Sequence, residues 1–423
     1  MSGHPRRRPS ALSRRDFLRR SLGAAVALPS AAAILAACSK PGTTSSGGGG
    51  TGSAGARILA RPDNPVTLPM RREPIPTDTP IEGGTLRVYN WDAYMYKKVL
   101  REFEDEYGVT VEWTTFNNME EGIQKLASGQ IEADVFFPTT DYIGRLVEAD
   151  LVQPLNHELI PNLEANFWPV FSDPGPFYDL GWRYSVPYVI YTTGVSYRRD
   201  RVDDAAAAQA GYDLFFDPSF QDAVSYYDSY RDALGMMLLR NGVTDVNSED
   251  PSAIASAKDA ILQMIDQNEA RLTINGTYAK LPEGEFTVSQ AWSGDIVGAK
   301  WYLPKGTPQD VLGYWYPPDK KGLVGNDLIV ITNGQSPRLA HEFVNWMLDE
   351  HYGYINFTQY NGYQPPMTSI EPGRLVDEGI VPDSLSLAVL GEENFTLGYL
   401  QGELSADADA LWLDAWSEIQ AGG

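Results

Sequence analysis

The sequence predicts an α/β protein of two domains, and three observations lead there. From Gly84 onward, short β-branched and aromatic runs alternate with stretches of helical periodicity. The chain has 423 residues, more than one ordinary hydrophobic core supports. No internal sequence repeat is visible that would turn the alternation into a solenoid.

The first 37 residues stand apart from that body. Ser13-Arg14-Arg15-Asp16-Phe17-Leu18 reads as a twin-arginine export signal, an apolar run begins at Leu22, and Leu35-Ala36-Ala37-Cys38 reads as a lipobox. On this reading residues 1–37 are removed. Cys38 then becomes a lipidated N-terminus that holds an exported, periplasmic or cell-surface protein at the membrane. The apolar run itself is too short and too rich in Ala and Ser to span a bilayer comfortably. Ser39 to Gly55 is Ser/Thr/Gly-rich and reads as a flexible tether. Pro62, Pro65, Pro69, Pro74, Pro76 and Pro80 make the next stretch stiffer and extended, lying along the folded body. Residues 38–83 together form the lipidated tether.

The body then unfolds element by element. Leu86–Tyr89 reads as a strand, and Tyr96, Val99, Leu100, Phe103 and Tyr107 mark one face of a helix that Gly108 stops. Val109–Trp113 is a second strand, Met119–Ser128 a helix, and Ala133–Pro138 a third strand. Asp141 opens or caps the next helix, which carries Tyr142, Leu146 and Val147. Val186–Tyr197 is strand-like, and 228–241 contains a helix. Asp250-Pro251 starts another helix, with Ile254, Ile261, Leu262 and Ile265 as its face. Strands follow at Phe286–Trp292 and Asp327–Thr332, with a helix at Leu339–Leu348. The last helix, Ala406–Gln420, has Leu411, Trp412 and Trp416 as its apolar side. Such alternation predicts a parallel sheet covered on both faces.

Composition narrows the function. The formal net charge is −23, and the seven Arg and one Asp of residues 1–37 leave the remainder more acidic still. That argues against nucleic acid or an anionic bilayer as a partner of the folded part, and it suits a small cation. Most of the carboxylates need do no more than keep the protein soluble. Cys38 is the only cysteine, so no other thiol remains for a disulfide, a metal or a nucleophile. The four histidines are scattered, His341-Glu342 lacks the second histidine of a zinc-protease helix, and no nucleophile elbow, P-loop or dinucleotide fingerprint follows a strand. No cofactor, metal or catalytic residue is expected.

Aromatic and acidic residues cluster just past the strands, where open α/β sheets bind ligands. They occur as Val88-Tyr89-Asn90-Trp91-Asp92-Ala93-Tyr94, Ala133-Asp134-Val135-Phe136-Phe137-Pro138-Thr139-Thr140, Ser185-Val186-Pro187-Tyr188, Ala291-Trp292-Ser293-Gly294-Asp295 and Asn361-Gly362-Tyr363. In these motifs, from about Gly84 to Gly423, the chain resembles the periplasmic spermidine/putrescine-binding proteins of polyamine ABC importers. The resemblance implies a two-lobed periplasmic-binding-protein fold of type II, with a ligand cleft between lobes. Residues 84–193 and 326–371 would form lobe 1, and 194–325 and 372–423 lobe 2. The chain would cross near Thr193, near Gly325 and near Glu371-Pro372.

The resemblance further implies that aromatic faces sandwich the methylenes while carboxylates hold the ammonium ends. The chemistry is reasonable. Four methylenes removed from water contribute about 3 kcal/mol, and an aromatic face adds roughly 0.5–2 kcal/mol for a cation. A buried ammonium requires a carboxylate and acceptors. Trp91, Tyr94, Trp292 and Tyr363 would be walls, Asp232, Asp295 and Asp327 would receive charge, and Thr139 would accept a hydrogen bond. Asp92 and Asp141 are further acidic candidates. Each has a structural alternative: the tryptophans as core, Tyr94 as a helix opener, the acids as solvated loop residues, Asp232 as the partner of Arg231 or a neighbour.

Departures from the family pattern refine the cargo. Spermidine-preferring members carry an aspartate where Ser229 aligns, a tyrosine near Asp141 and a tryptophan near Gly325. Putrescine-preferring members have a small residue at the first place and a Trp-x-Gly-Asp like Trp292–Asp295. Ser229 and Asp295 therefore favour putrescine or a related diamine over spermidine, while Gly325 removes a wall. The expected protein is a monomeric, lipid-anchored receptor that delivers a polyamine to ABC permease subunits. A polyamine or organic-cation sensor or scavenger on the same fold, and at greater distance an extracellular enzyme, are the alternatives.

Overall fold

The computed structural model describes residues 58–172 and 175–422. The export signal, Cys38 and the Ser39–Gly55 tether lie outside the described residues. Ten strands form one sheet: β1 Thr85–Trp91, β2 Thr110–Phe116, β3 Val135–Phe136, β4 Ser185–Arg198, β5 Val224–Tyr226, β6 Arg271–Leu272, β7 Val288–Trp292, β8 Leu312–Trp315, β9 Leu323–Ile331 and β10 Tyr399–Leu400. The main path runs β2-β1-β3-β9-β4-β7-β5-β6, with β10 on β9 and β8 on β4.

The sheet is mixed, which corrects the all-parallel expectation. Each wing is parallel as expected: β1 pairs with β2 and β3, and β5 with β6 and β7. The centre is antiparallel, with β9 against both β3 and β4, and β4 against β7 and β8. The reason is the path of the chain. β4 runs outward from one wing and β9 returns toward it, so the two long strands meet head to tail. β4 pairs with β9 from Ser185 to Thr193 and with β7 from Thr193 to Tyr197. Thr193 is thus where the strand passes from one wing to the other.

Local chemistry sets the helix ends. Lys97–Tyr107 buries Val99, Leu100 and Phe103 and stops at Gly108, whose φ of 65° is left-handed. Asp250 accepts the Ser252 N–H at 2.9 Å and caps Pro251–Asn268, which begins on proline. Asp141 has no capping bond; it lies in a single 3₁₀ turn, Thr140–Tyr142, ahead of the helix Ile143–Glu148. The last helix, Ala406–Gly422, buries Trp412 and Trp416, but Leu411 is 37 % exposed and is not part of its apolar side.

Two apolar clusters result. The larger centres on Phe103, Phe136, Tyr184 and Phe343, the smaller on Tyr226, Met237, Ile261 and Trp412. The larger continues through Leu281, Ile296 and Leu312, so apolar contact does not stop at Thr193. The proline-rich stretch lies along the larger body. Val66 N–H donates to Phe177 O at 2.7 Å, Leu180 N–H to Val66 O at 3.1 Å, and the Glu82 carboxylate accepts the Leu339 N–H at 2.8 Å in the first turn of the helix Pro337–Met347.

Asp134 ties this half together. Its buried carboxylate accepts the N–H groups of Arg87 (2.8 Å), Gln335 (2.8 Å) and Ser336 (3.1 Å). Asp134→Ala would orphan all three donors beside a buried side chain. The expected loss is about 3 kcal/mol or more, read as a lowered midpoint in urea unfolding. An unchanged midpoint would mean that water replaces the carboxylate.

Candidate functional site

A cavity of about 600 Å³ opens where the two wings meet, lined by the ends of β1, β7 and β9 and by the first turns of several helices. At the end of β1, the chain turns through Trp91-Asp92-Ala93-Tyr94, with Ala93 at a φ of 53°. A non-glycine residue held in that region is strained. The turn is fixed through the Tyr94 carbonyl, which accepts from Tyr188 Oη at 2.9 Å and Asn361 Nδ2 at 3.0 Å. The buried Tyr94 ring then points its hydroxyl at Asp327 Oδ2, 2.7 Å away on β9.

Asp232, Asp295 and Asp327 are buried beside this space and form no ion pair among the described residues. Asp327 accepts from Tyr94 and, at 3.3 Å, from Tyr191 Oη. Asp295, in the first turn of the helix Ser293–Gly298, accepts from Tyr363 Oη at 2.6 Å and Tyr227 Oη at 2.7 Å. Asp232, in the first turn of the helix Tyr230–Arg240, accepts from Trp292 Nε1 (2.9 Å), Ser229 Oγ (2.8 Å) and Thr193 Oγ1 (3.2 Å). Arg231 does not pair with Asp232; its guanidinium donates to Asn247 Oδ1 at 2.7 Å and Gly402 O at 2.9 Å. Burial pushes the Asp327 carboxyl up to about 7 and Asp295 to about 6, and it raises Asp232 as well, because the tyrosine, serine and indole donors only partly offset desolvation. Burial also raises the tyrosine hydroxyls, which stay neutral.

The remaining expected residues also line the cavity. Trp91 is partly exposed and tilts against Phe116 at 4.7 Å between centroids. Asp92 is exposed at the rim. Thr139 donates its hydroxyl to Asp141, whose carboxyl burial raises and the nearby Arg231 lowers in part. Trp292 stacks on Tyr227 at 4.1 Å and 27°, so one face is already covered. Tyr363 meets Tyr94 edge-on at 4.8 Å. Its ring occupies the space above Gly294, where an added Cβ would fall 2.3 Å from Tyr363 Cγ.

Three contributors escaped the sequence reading. Tyr191, in the middle of β4, lies across from Gly325 on β9, and an added Cβ on Gly325 would fall 2.2 Å from the tyrosine ring. The aromatic wall missing at Gly325 is therefore supplied from the neighbouring strand, and the glycine was its only signal. Tyr227, one residue past β5, holds Asp295 from behind. Glu120, beside Asn118 at the start of the helix Met119–Ala127, faces the cavity with its carboxylate on Tyr142 Oη at 2.7 Å. An acid in a first helical turn is too common to single out.

The arrangement offers acidic side chains beside aromatic faces. His341 is buried between Pro337 O (2.7 Å) and the Asn156 N–H (3.1 Å), and burial pulls it down to about 4. Among the described residues no group of His, Cys, Asp and Glu could hold a metal ion. The sequence profile of the bacterial extracellular solute-binding proteins matches residues 98–379. The chain belongs to that family. It is a solute-binding protein of the two-lobed α/β type and not an enzyme. It is similar to the spermidine/putrescine-binding periplasmic protein of Salmonella typhimurium, at 23 % identity over 81 % of this chain and 93 % of that one. It is also similar to the putrescine-binding periplasmic protein SpuD of Pseudomonas aeruginosa, at 25 % over 81 % and 93 %. Its fold matches the spermidine/putrescine ABC transporter substrate-binding protein PotD of Streptococcus pneumoniae, with a TM-score of 0.62, 21 % identity and coverage of 80 % and 99 %.

The packing of Tyr191 on Gly325 is directly testable. Gly325→Ala should lower the unfolding free energy by roughly 1–3 kcal/mol through overpacking. Adding Tyr191→Ala, which vacates the space, should recover part of that loss. A single variant that melts like the parent would show that Tyr191 swings aside freely.

Proposed function

We propose that this protein captures a linear polyamine in the cavity and delivers it to an ABC permease, with putrescine or a related diamine preferred over spermidine. The observation that carries the reading is the set of Asp232, Asp295 and Asp327, facing an aromatic space with neutral donors only. Such carboxylates are incomplete without a cation. In the bound state the ammonium groups take their place on these acids. The methylenes lie between Trp91, Tyr94, Trp292 and Tyr363, and Thr139 accepts from the amine. Asp92 and Asp141 add to the negative field, and the small Ser229 suits a short cargo.

Closure belongs to the same proposal. Residues 84–193 with 326–371, and 194–325 with 372–423, act as lobes that shut on the amine, and the permease docks on the shut form. The chain leaves the cell by the twin-arginine route, loses residues 1–37, and stays on the membrane as a monomer through lipid on Cys38. Residues 38–83 are its tether. The names of the relatives support the cargo class, and the export motif supports the address.

A thermal-shift series with putrescine, cadaverine, spermidine, spermine, ornithine and a sugar tests the cargo. Putrescine at about 100-fold its Kd should add roughly 2.7 kcal/mol of stability. A response to the sugar alone would end the polyamine reading. Asp295→Asn and Asp327→Asn should each weaken putrescine binding by roughly 30-fold or more while the protein stays folded. Unchanged affinity in both variants would place the cargo elsewhere.

The raised carboxyls give the pH dependence its sign. Asp327 at about 7 and Asp295 at about 6 lie above their values in an unfolded chain. The stability they give the empty protein is therefore present at low pH and lost as pH rises through 6 to 7. A cation needs both groups ionised, so the stabilisation by putrescine should be greater at pH 8 than at pH 5.5. Binding at pH 6.5 should release protons, seen as a calorimetric heat that varies with the ionisation enthalpy of the buffer. A heat independent of buffer would contradict the assignment of these two acids.

A further inference from the structure

One end of the cavity opens, beside Asp92, on four aromatic residues outside the set just described. Trp301 and Tyr302 are 41 % and 47 % exposed, adjacent in sequence, and both line the cavity that reaches Asp295 and Asp327. Tyr278 and Tyr360 line it too, each half-buried, and so does the exposed Asp92. Tyr302 meets Tyr278 edge-on at 5.5 Å, which leaves its ring faces without a stacked partner. Tyr360 has one face stacked on Tyr96 at 5.5 Å and 11°. One face of Trp301 is taken by Lys300, whose Nζ lies 5.0 Å from the ring centroid and donates to Ile380 O at 2.7 Å. Neither Tyr302 nor Trp301 serves the hydrophobic core, yet both stand where the cavity meets solvent. The Asp92 charge is felt at both Tyr278 and Tyr360, so the acid and the rings share one space.

We propose that Asp92, Tyr278, Trp301, Tyr302 and Tyr360 form an outer subsite at the cleft mouth, which takes the protruding alkylammonium end of an amine longer than a four-carbon diamine. The inference rests on the polyamine reading and extends it. The inner acids and walls hold the first two charges and the methylenes between them. A third charge, on an aminopropyl extension, emerges among ring faces and one carboxylate. That is the chemistry an ammonium seeks when only partly desolvated. The rings come from both proposed lobes, Tyr360 from one and Tyr278, Trp301 and Tyr302 from the other. The outer subsite is whole only when the cleft is shut.

The test compares amines of different length on the full protein carrying Trp301→Leu and Tyr302→Leu together. Both residues are exposed, and putrescine affinity serves as the control for an intact inner site. By calorimetry, the double variant should bind putrescine as the parent does and lose roughly five- to twenty-fold for spermidine and spermine. Equal losses for all three amines, or no loss for any, would overturn the outer subsite while leaving the polyamine reading in place. A parent protein that binds none of the three would overturn the polyamine reading and the subsite with it. A matched melting curve for the empty variant and parent separates a lost contact from a lost fold.

Discussion

The cleft is organised by three buried carboxylates that form no direct ion pair among the described residues. Asp232, Asp295 and Asp327 are each served by two or three donors, and every donor is a neutral hydroxyl or indole N–H. Neutral donors orient a carboxylate and soften its desolvation, but they do not cancel its charge. Buried acids elsewhere in the chain are held in two ways: Asp134 and Asp179 accept mainly backbone N–H donors, while others pair with arginine. Arg145 reaches Glu403 at 3.0 Å and Asp409 at 3.2 Å, all three well shielded from solvent. The cleft differs from these in that its three acids line one cavity, with side-chain hydroxyls and an indole N–H as donors in place of backbone amides.

Holding the acids requires the central strands to run against each other. Because β4 and β9 are antiparallel, and paired without interruption from Val189 to Thr193, Tyr191 meets Gly325 and its hydroxyl reaches Asp327 two residues on. Thr193, where β4 leaves β9 for β7, sends its hydroxyl to Asp232. Glycines then let aromatic rings close on the backbone. Gly294 leaves room for Tyr363, and Gly362, at a φ of 75°, passes so near Gly294 O that an added Cβ would fall 2.3 Å from it. A side chain at either position would push Tyr363 off Asp295. The glycines of the Trp292–Asp295 and Asn361–Tyr363 motifs are thus part of the carboxylate's support as much as of the chain path.

What the sequence disclosed follows from how local each feature is. Strand–helix alternation, the Gly108 stop and the Asp250 cap are decided within a few residues, and all are found as read. The direction in which β4 and β9 pair depends on segments more than a hundred residues apart, and the alternation carried no information on it. The same division holds at the cavity. Trp91 and Trp292 end their strands, Tyr94 and Asp295 lie just past them, and all follow the general rule for ligand sites in α/β sheets. Tyr191 lies within a strand, where an aromatic residue reads as ordinary core, and only the glycine opposite betrays it. Trp292 was legible as an aromatic face. That Tyr227 covers one side of it while its N–H serves Asp232 is a matter of packing.

The placement of the acids also explains why a cation, rather than any small polar solute, would shut such a cleft. On the proposed lobe boundaries Asp327 belongs to one lobe, and Asp232 and Asp295 to the other. Tyr363 on the first lobe reaches across to Asp295 on the second. Closure without cargo would bring like charges toward each other in a low dielectric, and across the proposed boundary Asp232 already raises the Asp327 carboxyl. A sugar supplies hydrogen bonds but leaves that repulsion in place. On the proposed assignment, a diammonium would supply one positive charge to each side and turn the same geometry from repulsive to attractive. Under that proposal, selection for charge and selection for closure would be a single event, because only a ligand that removes the electrostatic penalty would let the lobes meet.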